Sequence, residues 1–201
     1  MNKKIVVLMA FFTVFAGAAS AKSIGLNLEI GAVYTNHQLH YFGGGTQSDG
    51  FRHHSIKFKH MGGFNVGLSY DLPKNWAIYA STIFAFNSIF ANDTQFGIGY
   101  NFRLARGFSL FLGGAFAVGG SQFNRIIANK SAEWEKYTNL GGGVRLTAAY
   151  MFTGRFGIYF GGWANYYKPI KGVKLGQEMP ARNLPTMVQS LNAMAGLKIA
   201  F

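Results

Sequence analysis

From Ile24 to the end of the chain, bulky apolar residues recur at every second position in eight separate runs. A period of two places successive side chains on opposite faces of a β-strand, so the pattern predicts strands and excludes amphipathic helices. The apolar face of the first run is Ile24, Leu26, Leu28, Ile30, Ala32 and Tyr34, opposed by Ser23, Gly25, Asn27, Glu29 and Gly31. The others fall at Ile56–Tyr70, Trp76–Phe86, Phe96–Phe102, Phe108–Val118, Leu140–Tyr150, Phe156–Tyr166 and Leu191–Phe201, each set against Gly, Ala, Ser and Asn. Each run approaches the roughly 9–11 residues of a membrane-crossing strand.

Alternation alone does not say which face points outward, and composition decides it. Charged residues make up 13% of the chain, whereas a soluble surface carries about a quarter or more. A bulky face turned inward would also overfill an eight-stranded barrel, whose interior is just wide enough for ordinary side chains. The bulky face therefore meets lipid, and the small polar face fills a narrow lumen. Short turns at Asp71–Asn75, Arg103–Gly107 and Met151–Arg155 alternate with longer connections at about Thr35–Ser55, Ser88–Asp93, Ser121–Thr138 and Lys168–Pro185. Short turns on the periplasmic side and long loops outside is the usual asymmetry of outer-membrane barrels. Outward aromatics (Tyr70, Trp76, Tyr100, Phe102, Phe108, Tyr150, Phe156 and Phe201) gather at the short-turn end, where amphipathic rings favour the headgroup level.

The first residues read as an export signal. Lys3 and Lys4 precede an apolar run from Ile5 to Ala16, and Ala19-Ser20-Ala21 supplies a small-x-small cleavage site. The run is shorter than the ~20 residues of a spanning helix. Cleavage is expected after Ala21, leaving residues 22–201 as one barrel domain. The formal net charge falls from +12 to +10 when Lys3 and Lys4 leave. Cysteine is absent, so no disulfide frame is expected. No basic tract points to nucleic acid, and no motif calls for a cofactor.

The signal, the eight short amphipathic strands and the terminal series Ala195, Leu197, Ile199, Phe201 resemble the small outer-membrane barrels: OmpX, OmpW, the OmpA membrane domain and the opacity-type proteins. The resemblance covers the mature chain. It implies an all-β, antiparallel up-and-down transmembrane barrel of eight strands in the bacterial outer membrane. It further implies that the barrel-assembly machinery reads Phe201 as the assembly signal. No periplasmic domain is expected after the last strand, so the resemblance does not extend to the peptidoglycan binding of full-length OmpA.

Three charges fall on the lumen face: Glu29, Arg145 and Lys198. An unpaired charge there is costly, so a Glu29–Arg145 or Glu29–Lys198 pair is expected; a gate is the alternative role. Arg52, Lys57 and Lys59 in the first long connection, and Lys168, Lys171, Lys174 and Arg182 in the last, face Glu178 and little other negative charge. Cations just outside an apolar band suit the phosphates of lipopolysaccharide or a similar glycolipid, at up to about 1 kcal/mol each. Host surface ligands are a further class of partner for these loops. All five histidines lie in or beside the first long connection, where His37, His40, His53 and His54 form a candidate metal set, since neutral imidazole ligates zinc.

Some small barrels modify lipid A enzymatically. Here the histidines read as belonging to one loop, away from the last strands, with Ser48, Asp49, His53 and His54 as the only candidate cluster; the chain is therefore expected not to be an enzyme. Two roles remain: a structural or surface-interaction protein, favoured by the basic connections, and a narrow OmpW-like conduit for small or apolar solutes.

Overall fold

A computed structural model describes residues 25–42, 54–87, 90–127, 130–174, 177–180 and 184–201. The expected signal segment lies outside them. The strands are β1 (Leu26–Phe42), β2 (His54–Asp71), β3 (Trp76–Phe86), β4 (Phe90–Ala105), β5 (Phe108–Ile127), β6 (Lys130–Met151), β7 (Phe156–Lys174), β8 (Gln177–Glu178) and β9 (Met187–Ala200). Each long strand pairs antiparallel with its neighbour, and β9 pairs with both β7 and β1, closing a ring of eight; β8 is a two-residue ladder folded back on β7. No helix of the described residues is long and apolar enough to cross a membrane; strands make the crossing.

The wall obeys the alternation read from the sequence. Phe64, Leu68, Ile98, Phe116, Leu146, Phe160 and Leu197 stand outward and exposed, while Ile83, Ala117, Tyr159, Trp163 and Val188 are buried inside. A soluble protein does not present such a continuous apolar surface; lipid accounts for it. At the short-turn end the aromatic girdle is present, with Trp76 edge-on to Tyr100 at 5.5 Å and Tyr100 to Phe102 at 4.9 Å between centroids.

The three short turns are where the sequence places them. A 3₁₀ turn at Pro73–Asn75 joins β2 to β3. Gly107 takes φ +77° in the turn into β5, a conformation glycine adopts without penalty. Thr153 Oγ1 accepts hydrogen bonds from the backbone N–H groups of Arg155 (3.2 Å) and Phe156 (3.0 Å) in the third.

Strand length differs from expectation. β1, β2, β5, β6 and β7 run 17, 18, 20, 22 and 19 residues, so much of what reads as loop at Thr35–Ser55, Ser88–Asp93, Ser121–Thr138 and Lys168–Pro185 is paired strand. The hydrophobic signal stops where lipid stops, because outward positions there become polar: Asn36 and Gln38 on β1, His60 on β2, Gln189 on β9. The hydrogen-bond ladder needs no apolar exterior and continues past that level.

Candidate functional site

Among the described residues the lumen holds two polar layers separated by an apolar one, and further out the buried Glu135 accepts a hydrogen bond from Tyr137 OH at 2.9 Å. In the layer nearer the short turns, Glu29 on β1 accepts hydrogen bonds from Arg145 on β6 through Oε2 and from Lys198 on β9 through Oε1, the latter at 3.3 Å. The structure thus brings together all three charges singled out on the lumen face. Lys198 is in register with Glu29 across the β1–β9 seam, whereas Arg145 reaches across the barrel. The Arg145 guanidinium lies 5.3 Å from the Tyr79 ring centroid and 6.0 Å from those of Phe111 and Trp163, a cation–π setting that offsets its desolvation. Glycine makes this possible. A Cβ on Gly113 would sit 2.8 Å from the Phe111 ring and 2.9 Å from that of Tyr79.

Above this layer, Val33, Met61, Ile83, Trp163 and Met194 pack into one buried cluster. Beyond it, His37 on β1, Asp93 on β4 and Ser190 on β9 converge. His37 Nε2 is 3.3 Å from Asp93 Oδ2 and 3.3 Å from Ser190 Oγ, and the Ser190 hydroxyl donates to Asp93. Asn192 Nδ2 donates to Ser190 Oγ at 2.8 Å. Alongside runs a second chain: Tyr79 OH donates to Gln95 (3.3 Å), Gln95 Nε2 to Asn165 Oδ1 (2.5 Å), and Asn165 Nδ2 to Tyr167 OH (2.8 Å). Leu39, Ala117, Tyr137, Tyr167 and Val188 cap the lumen.

A serine, a histidine and an aspartate invite comparison with a nucleophilic triad, and the geometry declines it. A triad places the acid on one ring nitrogen and the hydroxyl on the other. Here both approach Nε2, the serine hydroxyl is spent on the aspartate, and His37, Asp93 and Ser190 are 1%, 0% and 0% exposed. The cluster is a polar tie between strands. It corrects the expectation that the histidines share a loop remote from the last strands: His37 is in register with Ser190 on β9. Asp93 escapes a reading that stops at the apolar runs, whereas Ser190 already stands opposite the apolar face of the last run. Continued alternation on β4 (Gly97, Gln95, Asp93) and β9 (Met194, Asn192, Ser190) puts both on the inward face.

Among the described residues the metal set does not come together. His37 and His40 lie three residues apart on β1, hence on opposite faces of a strand. His54 begins β2, and His53, with Ser48 and Asp49, lies outside the described residues. Among the described residues no three His, Cys, Asp or Glu side chains come close enough to hold a metal ion.

The cations divide. Lys59 is not in a loop; it lies on β2, on the inward face, in register with His37. Lys57 also lies on β2, in register with Leu39. Lys168, Lys171 and Lys174 belong to β7. Lys168 is exposed on the lipid-facing side two residues beyond the outward Tyr166, Lys171 is exposed and 3.8 Å from Glu178, and Lys174 is in register with Glu135. Arg52 and Arg182 lie outside the described residues. Phe201 completes the outward face of β9, and its N–H donates to Leu26 O at 2.8 Å across the seam.

A closed eight-stranded ring, an apolar exterior and a packed polar lumen define the fold of the small outer-membrane β-barrels. No family model and no curated protein matches the chain. Among solved structures, Neisserial surface protein A (NspA) aligns with TM-score 0.57 at 14% identity, over 90% of this chain and 100% of that one. The N-terminal β-barrel domain of Pseudomonas aeruginosa OprF aligns with TM-score 0.49 at 10% identity, over 90% of this chain and 100% of that domain. Ail of Yersinia pestis gives 0.45 at 16%, over 86% and 98%. The likeness to NspA supports the fold, and the fold alone.

Proposed function

We propose that this protein is an exported, non-enzymatic outer-membrane barrel with a structural and surface-interaction role, and that its outer end holds anionic glycolipid. One observation carries the reading: Lys168 stands exposed on the lipid-facing side of β7, directly beyond the last aromatic of the apolar belt, with Lys171 one step further out. That is the level of lipid phosphates, where a near-surface cation contributes up to about 1 kcal/mol. Arg182 extends the patch in sequence, whereas Lys174, in register with the buried Glu135, turns toward the lumen. The conduit reading has less support, because buried side chains occupy the lumen from Glu29 to Leu39. The barrel-assembly machinery is the proposed reader of Phe201, and export follows from cleavage after Ala21.

Exposed contacts are screened over about 8 Å at physiological salt. Binding of the purified barrel to lipopolysaccharide micelles is therefore expected to weaken as salt rises. Replacing Lys168, Lys171, Lys174 and Arg182 by glutamine is expected to weaken it further, with circular dichroism unchanged. Equal affinity of the two forms at low salt would remove the cations from the account.

A further inference from the structure

The outer wall is not uniformly convex. Across β1, β9, β7 and β6 it carries a lipid-facing groove of about 720 Å³. Its shape follows from the register. In one row Tyr34 is opposite Ala193, Ala193 opposite Gly162, and Gly162 opposite Leu146, so two small residues lie between two large ones. In the next row outward Asn36, Leu191, Ala164 and Val144 are in register, and the depression continues over Ala164. Phe160, 59% exposed, closes the inner end. At the outer end Gln189 donates to Tyr166 OH at 3.3 Å, forming a polar ledge, and Lys168 stands immediately beyond it. The wall at β2–β4 differs: Phe64, Phe84, Phe86 and Phe90 pack ring on ring at 5.2–6.3 Å between centroids.

We propose that this groove is a seat for one acyl chain of an anionic glycolipid, the chain lying over Ala193, Gly162 and Ala164 with its headgroup phosphate at Lys168. The dimensions agree. Six residues of β7 separate Phe160 from Tyr166, about 20 Å of strand at ~3.4 Å per residue. Tilted by about 40°, that is about 15 Å of depth, half of the ~30 Å hydrocarbon core and so one leaflet. The groove opens toward the end that carries the cations, which selects the outer leaflet and an amphiphile with negative charge at the apolar boundary. The proposal rests on the glycolipid reading above and adds to it a defined position and a requirement for the chain.

The test uses full-length mature barrel in phosphatidylcholine vesicles containing a diphosphoryl hexa-acyl glucosamine disaccharide. Ala193→Trp and Ala164→Phe fill the groove from lipid-facing positions, and Ala80→Phe, in a smaller apolar depression on β3 with no cation above it, is the control. Retained glycolipid is counted by native mass spectrometry, and heat-resistant gel mobility reports folding. Each filling variant is expected to bind at least ten-fold more weakly than wild type, the control unchanged. Wild-type affinity in both filling variants overturns the seat. If the four-glutamine variant loses binding while the filling variants do not, the cation reading stands and the seat fails; the reverse pattern keeps the seat and discards the cations. Should the filled barrels not fold, the same glycolipid with a photoreactive mid-chain diazirine is cross-linked to unmodified protein. Adducts concentrated in 160–166 and 191–195 support the seat, and an even spread around the ring overturns it.

Discussion

The two polar layers of the lumen solve the burial of charge differently. Around Glu29, one carboxylate meets two full cations, and the guanidinium is enclosed by three aromatic rings. Around Asp93, one carboxylate meets an imidazole and a hydroxyl, and each layer keeps buried atoms without a hydrogen-bond partner among the described residues: Arg145 Nε in the first, His37 Nδ1 and Asn192 Oδ1 in the second. The first layer is a charge clamp joining β1, β6 and β9 across the barrel. The second is a hydrogen-bonded network around one carboxylate, between β1, β4 and β9. Truncating Arg145 leaves the buried Glu29 carboxylate short of a cation, whereas exchanging Asp93 for its neutral isostere leaves at worst a buried dipole. The clamp should therefore be the less forgiving of the two.

Arg145→Ala tests this most directly. It leaves Glu29 with Lys198 alone and is expected to cost about 3–5 kcal/mol, read as a lower urea midpoint in detergent. Next comes the neighbour on the other side of the wall: Leu146→Arg near the middle of the belt is expected to cost about 2–4 kcal/mol, visible as lost heat-resistant mobility. Unchanged mobility there would reverse the assignment of inside and outside. Asp93→Asn keeps an acceptor for Ser190 and removes only the charge facing His37; about 1–3 kcal/mol is expected. A loss as large as that of Arg145→Ala would erase the distinction between the layers. Smallest is Thr147→Ser, which removes one buried methyl from the lumen face and is expected to cost about 0.8 kcal/mol in the same urea experiment.

Much of the clamp is legible in the sequence, because Glu29, Arg145 and Lys198 are charges standing among small residues on a face whose parity is clear. Of the second layer, Ser190 and Asn192 have the same clear parity, but His37 and Asp93 do not. Where outward residues turn polar, as at Asn36, Gln38 and Asn92, alternation loses its contrast and a strand reads as a loop, although Asp93 keeps the inward parity. The meeting of His37 with Ser190 also depends on the register of β1 against β9, which no local pattern encodes. The place of Lys168 on a strand is hidden for another reason. Pro169 follows it and suggests a strand end, yet the ladder shifts register beside Asn139, and a proline that cannot donate is tolerated at such an irregularity.

Pairing of the first long strand with the last has a kinetic meaning. Glu29 and Lys198 are 169 residues apart in sequence, and until they meet both β1 and β9 present bare backbone donors and acceptors. In hydrocarbon each such group costs several kcal/mol; in water the same edges invite pairing with another chain. No half-built version of this ring can rest stably in either solvent, so insertion and closure are bound to be one event, or to need an escort that lends a temporary edge. The terminal residue matters in this light, since the hydrogen bond from Phe201 to Leu26 is among the last stitches of the seam. A chain lacking Phe201 is expected to reach the same fold more slowly, with unclosed barrel accumulating first in pulse-chase samples resolved by cold gel mobility.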